Sequence, residues 1–342
     1  MGAFMSESER RKRRKAWLVA AILSAAIAVV FVVSMNTGVI RLSPIDVLRT
    51  LAGGGTDRQQ LILFDFRLPR IVISLLIGAG LAVSGAVLQA LSRNALADPG
   101  IIGINSGAGL IVLLFIAYYP APAATPAYLL PLLAWAGGGV AAALVFLLSY
   151  RRHKGLSSNR LILNGVAVNS GFAAVTIVVS LRINPEQYQF VATWMAGSIW
   201  GKDWSYVLAL LPFIAVLLPY VLFKARTLNV LNLGTPMATG LGAFVSREQA
   251  LLLAAAVGLA GSCVAVSGSI GFVGLIAPHL ARRLVGQRYQ ALLPVAALSG
   301  ALLVMAADTI AKVILQPAEI PTGIIVAAVG APYFLYLLYR SK

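Results

Sequence analysis

The sequence predicts an all-α polytopic membrane protein of about ten transmembrane helices, with both termini cytoplasmic. Of its 342 residues, 59% are hydrophobic and only 11% charged, where a soluble domain carries about 25%. Uncharged runs long enough to cross a bilayer core of about 30 Å recur from end to end. These Val/Leu/Ala-rich runs do not alternate apolar with polar residues, which excludes a lipid-facing β-barrel.

The elements follow in order. A basic tail, residues 1–15, ends in Arg10-Arg11-Lys12-Arg13-Arg14-Lys15. The apolar run after it is too long for a signal-peptide core, so helix 1 (Trp17–Met35) is retained and residues 16–342 form one transmembrane domain. Residues 36–66 read as a mixed polar loop. Helix 2 (Arg70–Leu91) follows the pair Arg67 and Arg70, and Asp98-Pro99-Gly100 breaks the chain before helix 3 (Ile101–Tyr118). Helix 4 (Leu129–Ser149) ends at Arg151, Arg152, His153 and Lys154, and helix 5 is Leu161–Leu181. Residues 182–204, with Trp194, Trp200 and Trp204, read as a short interfacial helix. Helix 6 (Tyr206–Phe223) leads into a long polar connection, residues 224–247. Helix 7 (Ala250–Val266), a shorter helix 8 (Gly271–Leu284), helix 9 (Leu292–Ile314) and helix 10 (Pro321–Tyr339) complete the chain.

Threading these crossings with the tail inside puts nineteen of the 27 Lys and Arg on the inner side and eight on the outer. That bias is the positive-inside rule, and it accounts for the net charge of +16 without nucleic acid. Arg67, Arg70 and Lys312 stand out as outward-facing exceptions. Cys263 is the only cysteine, so no intrachain disulfide can form. Gly197-Ser198-Ile199-Trp200-Gly201-Lys202-Asp203 is one residue short of a P-loop, and His153 and His279 lack partners at ligand spacing. No catalytic residue, cofactor or metal site is predicted.

Seven segments, in register from helix 2 to the end, carry a resemblance: RLPR (67–70), SGAVLQAL (84–91), RNALADPGIIGINSGAG (93–109), WMAGSIWG (194–201), GSIGFVGLIAPHLARRLVG (268–286), LLPVAALSGALLVMAAD (292–308) and PAEIPTGIIVAAVGAPYFLYLL (317–338). The chain resembles the permease family of bacterial ABC importers for iron–siderophores and vitamin B12. The resemblance implies a ten-helix subunit of the cell membrane that pairs with a second permease, identical or paralogous, around a central pathway. It implies two cytoplasmic ATPases and an extracytoplasmic siderophore-binding protein as partners. An iron(III)–siderophore is the implied cargo, with cobalamin or haem as the alternative; a secondary transporter is the alternative outside the family.

The resemblance also implies roles. Arg67, Arg70 and Lys312 match the basic positions that meet glutamates of the binding protein; Lys312 stands where the family often has arginine. The other reading is contact with lipid headgroups or pairing with the chain's own Asp65 and Asp308. Asn94 and Leu96 match an inner narrowing of the pathway, with Ala95 in the family's usual proline position; Ser157, Ser158 and Asn159 match a second. Helix 5 carries Asn164, Asn169, Thr176 and Ser180. The last three share one face, which lines the pathway or bonds a neighbouring helix. Leu233, Gly234, Thr235, Met237, Ala238, Leu241 and Gly242 match the segment that couples to the ATPase, although Thr235, Pro236 and Thr239 replace the family's usual charged residues there.

Overall fold

The computed structural model describes residues 7–38, 43–119, 128–151, 155–156, 158–315 and 318–340. Ten helices occupy the ten predicted positions: α1 (Glu7–Asn36), α4 (Leu68–Ser92), α5 (Ile104–Tyr118), α6 (Leu129–Ser149), α7 (Ser158–Ser180), α9 (Trp204–Phe223), α12 (Val245–Ser267), α13 (Val273–Val285), α14 (Tyr289–Ile314) and α15 (Thr322–Arg340). Among the described residues, seven helices are long and apolar enough to cross a membrane, and two further apolar ones are shorter. The chain is a multi-pass membrane protein.

Residues 43–66 are helical over most of their length where a loop is predicted. They hold α2 (Pro44–Leu51) and α3 (Asp57–Gln60), each opened by a capping box, Ser43 with Asp46 and Thr56 with Gln59. A π-helical stretch, Leu61–Arg67, then runs directly into α4. Helix 1 also begins earlier than expected, because the basic residues before Trp17 are good helix formers and join it. A short interfacial helix, α8 (Pro185–Met195), lies within residues 182–204, and the connection 224–247 holds α10 (Ala225–Asn232) and α11 (Thr235–Gly240).

Helix α4 is the axis of the bundle and is buried along nearly its whole length. It packs most extensively on α14, with α12 and α13 on its other sides. Small residues permit this: a Cβ on Gly78 would stand 2.2 Å from the carbonyl oxygen of Gly300 in α14, and one on Gly85 would stand 2.0 Å from that of Gly274 in α13. Within a membrane such close packing replaces the hydrophobic drive that water supplies elsewhere.

The depth of α13 follows from these contacts. The Ser84 hydroxyl donates to the carbonyl of Ala256 at 2.7 Å, midway along α12. Gly85, the next residue, touches Gly274 in the first turn of α13. Helix α13 therefore starts level with the middle of α12, and its 13 residues reach only about 20 Å. The predicted crossing from Gly271 is thus only about two-thirds of a crossing. Residues 268–272 are not helical; Gly268 and Phe272 have φ of 70° and 66°. Irregular backbone at this depth must be enclosed by protein or water, and here the Ser267 carbonyl accepts the Ser198 N–H at 2.8 Å. Gln89 bolts α13 to α4: its amide nitrogen donates to the Gly274 carbonyl at 3.1 Å, and its amide oxygen accepts from Arg282.

Helices α1 and α7 are the bare ones, with only 11% of their most apolar stretches buried inside the chain. A two-residue antiparallel pair, Tyr150–Arg151 with Gly155–Leu156, joins α6 to α7.

Candidate functional site

Candidate positions gather at the two ends of α4. At its outer end stands a buried charge cluster. Arg70, in the first turn, places Nε 3.0 Å from both carboxylate oxygens of Asp308 on α14, and Nη2 2.9 Å from Oδ1. Its remaining nitrogen, Nη1, meets Glu319 at 2.7 Å. Lys312, one turn after Asp308, reaches the same carboxylate at 3.1 Å and donates to the Ser34 hydroxyl of α1 at 3.2 Å. The Thr322 hydroxyl, at the start of α15, donates to Asp308 Oδ1 at 3.0 Å, and Arg67 donates to the Met35 carbonyl. The cluster ties α1, α4, α14 and α15 together.

Arg67, Arg70 and Lys312 are only 7%, 8% and 5% exposed. Buried charge is tolerated only when closely paired, and Arg70 and Lys312 find that pairing in Asp308. Asp65, the other acid considered for this role, is exposed.

At the inner end, α4 stops at Arg93, whose left-handed φ of 49° turns the chain. Asn94 accepts the Leu96 N–H at 2.9 Å, and Asp98 accepts that of Gly100 at 2.9 Å, opening a short 3-10 turn, Pro99–Ile102. Burial pushes the Asp98 carboxyl up to about 6, against the Gly100 hydrogen bond, which lowers it. Asn94 and Leu96 are both half-buried in this turn. A small cavity behind it is closed by Ala97, Asp98, Ile101 and Ile102 on one side and Leu161 and Ile162 of α7 on the other. Asn159 lies exposed near the start of α7; Ser157 falls outside the described residues, as does the side chain of Ser158.

The polar residues of α7 divide. Asn164 donates to the Ser149 hydroxyl of α6 at 3.0 Å, a helix–helix bond, and Ser180 donates back to Ile177 of its own helix. Asn169 and Thr176 are half-buried on a helix that is otherwise largely bare.

The segment holding α10 and α11 is held at several points. Lys224 and Glu248 pair across its base at 2.7 Å. Asn229 of α10 accepts the Tyr289 N–H at 3.1 Å and donates to Gln290 at 2.8 Å, so it caps the start of α14 from outside. Arg93 reaches the Thr235 hydroxyl at 3.4 Å and lies over Gly234. Ala238 faces inward, fully buried, while Leu233, Met237 and Leu241 are 61%, 60% and 63% exposed in turn, with Phe244 beyond them at 78%. An apolar ridge of this kind on a polar connection is what a partner surface looks like. Gly234 and Gly242, with φ of 108° and 81°, bound the turn that presents it.

Sequence reasoning missed Arg93, Glu319 and Phe244. The Asp308/Lys312 spacing of four was a readable signal for the outer cluster; nothing local marked Glu319 as a partner of a residue 249 positions away.

The bundle thus has a buried axis helix, a charge cluster at one end of it and an exposed apolar ridge at the other. The sequence model of the FecCD transport family matches residues 26–340. The chain belongs to that family. It is 47% identical to the iron(3+)-hydroxamate import system permease protein FhuG of Bacillus subtilis (strain 168), over 97% of this chain and 100% of that protein. It is 42% identical to the iron-uptake system permease protein FeuC of the same organism, over 94% and 97%. A solved structure described as an inward-facing metal-chelate type ABC transporter superposes with a TM-score of 0.81 at 32% identity, covering 94% of this chain and 99% of that one.

Proposed function

We propose that this chain is the transmembrane permease of an ABC importer that carries iron(III)–siderophore complexes, with an iron(III)–hydroxamate as the first candidate cargo. The observation that carries the reading is the end-to-end match, without large gaps in coverage, to a permease named for iron(3+)-hydroxamate import. The chain is the passage and not an enzyme; hydrolysis belongs to two cytoplasmic ATPase partners.

The proposed roles follow the geometry. The ridge of Leu233, Met237, Leu241 and Phe244 seats against an ATPase, with Gly234, Thr235, Ala238 and Gly242 shaping its support. Exposed apolar surface of this size on the inner side favours such a partner. The bare helix α7, carrying Asn169 and Thr176, favours a neighbour or a wet pathway over lipid, since polar side chains are costly there. A second permease subunit supplies that neighbour. Asn94 and Leu96, with Ser157, Ser158 and Asn159, form the inner constriction. Arg67, Arg70 and Lys312 form the outer docking seat for the binding protein; their position outside runs against the usual charge bias, which favours a specific role.

The test is uptake of radiolabelled iron(III) trihydroxamate in cells lacking the chain, complemented by the chain or by nothing. Restored uptake that disappears when the partner ATPase loses its P-loop lysine is expected. Restoration that survives that loss would refute an ATP-driven role, and absence of any iron uptake with the complete transporter present would refute the cargo.

A further inference from the structure

We propose that Glu319 holds the place that an acidic side chain of the binding protein takes on docking, so that docking is an exchange of carboxylates on Arg70. The inference rests on the docking reading given above. It starts from a difference between the two counterions of Arg70. Asp308 sits on a regular helix, takes two edges of the guanidinium, and also holds Lys312 and Thr322. It is a fixed counterion. Glu319 takes the one remaining nitrogen, Nη1. It belongs to the non-helical run 318–321 ahead of α15, and its side chain is 20% exposed against 2% for Asp308. Of the two, Glu319 is the one that can leave.

The buried cations are otherwise a poor docking seat. A carboxylate arriving while Glu319 is in place would meet a guanidinium whose three nitrogens are already engaged, with a like charge beside it, and that juxtaposition is repulsive. Replacing Glu319 removes the repulsion. It also leaves no buried charge unpaired, because one carboxylate is exchanged for another. The partner chemistry is therefore a glutamate or aspartate that projects far enough to reach Nη1. The exchange also reaches into the bundle. Glu319 lies three residues ahead of Thr322, the first residue of α15, so its release loosens the lead-in to that helix while Thr322 keeps its bond to Asp308.

The experiment uses the complete transporter, both permeases with their ATPases, in lipid nanodiscs, and measures the affinity of the system's own binding protein. Glu319→Gln keeps the shape and removes the competing charge; affinity is expected to rise roughly tenfold, the lower end for one close charge pair. Glu319→Ala, a second uncharged variant in case the first assembles poorly, must also bind more tightly. Glu319→Asp keeps the charge and stays near wild type. Arg67→Gln, outside the exchange, weakens docking. Unchanged or weaker binding by the uncharged Glu319 variants, with Arg67→Gln still weakened, overturns the exchange and leaves the docking reading standing. If Arg67→Gln also binds as wild type, the docking reading falls and takes the exchange with it.

Discussion

Asp308→Asn would strip the outer cluster of its central counterion. Asp308 receives Arg70 through Nε and Nη2 at 2.9–3.0 Å, Lys312 at 3.1 Å and Thr322 at 3.0 Å. Asparagine keeps the size, but it has one acceptor oxygen and an NH2 group that would face a cation. Arg70 and Lys312, both more than nine-tenths buried, would lose their nearest shared negative charge. Removing one partner of a buried pair costs about 3–5 kcal/mol, and the loss here should lie at the upper end because two cations depend on the same carboxylate. Lys312→Met is the contrast. It deletes one cation and leaves the two-edged Arg70–Asp308 contact in place, so only a charged hydrogen bond of about 1.5–3 kcal/mol is lost. Denaturant unfolding of the purified protein in mild detergent, followed by far-ultraviolet circular dichroism, measures both. A loss below about 1 kcal/mol for Asp308→Asn, or equal losses for the two variants, would mean that the cluster is well hydrated and the pairing argument is wrong.

Gly85→Ala forces a methyl to within 2.0 Å of the Gly274 carbonyl oxygen; α4 and α13 must separate, and stability should fall by about 1–3 kcal/mol or more, read by the same unfolding assay. Asp98→Asn tests the raised carboxyl. A raised folded-state value means that the wild-type turn is relatively stable while Asp98 is protonated and loses that stability as pH climbs from about 4 through about 6; the variant should match wild type below pH 4 and exceed it by at most about 3 kcal/mol at pH 8, as melting curves at the two pH values will show. Met237→Glu puts a charge in the exposed ridge and should lower retention of the ATPase in a tagged pull-down by roughly tenfold or more, with the bundle's own stability unchanged. Arg93→Ala cuts the contact between α11 and the inner turn; ATP hydrolysed per complex imported, measured in proteoliposomes, should rise several-fold, and Arg93→Lys should restore part of the coupling.

Most of the helices were legible because each needs about twenty apolar residues and its ends are marked by charge or proline. The inner loops were legible through their Lys and Arg. What escaped the sequence lies in tertiary packing. GFVGLIAPHLA reads as a crossing, and only the meeting of Gly85 with Gly274 reveals that α13 starts at half depth. Arg70 stood out in the sequence as a charge on the unexpected side, yet its burial depends on Asp308 and Glu319, brought in from 238 and 249 positions away. The polarity and length of residues 224–247 marked a connection outside the apolar helices, whereas the outward turn of Phe244 goes with Ala238 facing the other way. The capping boxes at Ser43 and Thr56 were written locally, in S-x-x-D and T-x-x-Q, and could have replaced the loop assigned there.

The π-helical stretch Leu61–Arg67 joins α2 and α3 to the bundle. Its wide turn holds extra backbone that a regular helix of the same rise would not. Deleting a single residue there would remove that surplus and let the rod take ordinary winding, with α2 and α3 keeping nearly the same angular position about its axis. The membrane-embedded half of α4, clamped by glycine contacts, would stay where it is. The wide turn is thus a buffer, the one place along this rod where a residue can be lost with little change in how α2 and α3 sit over the bundle.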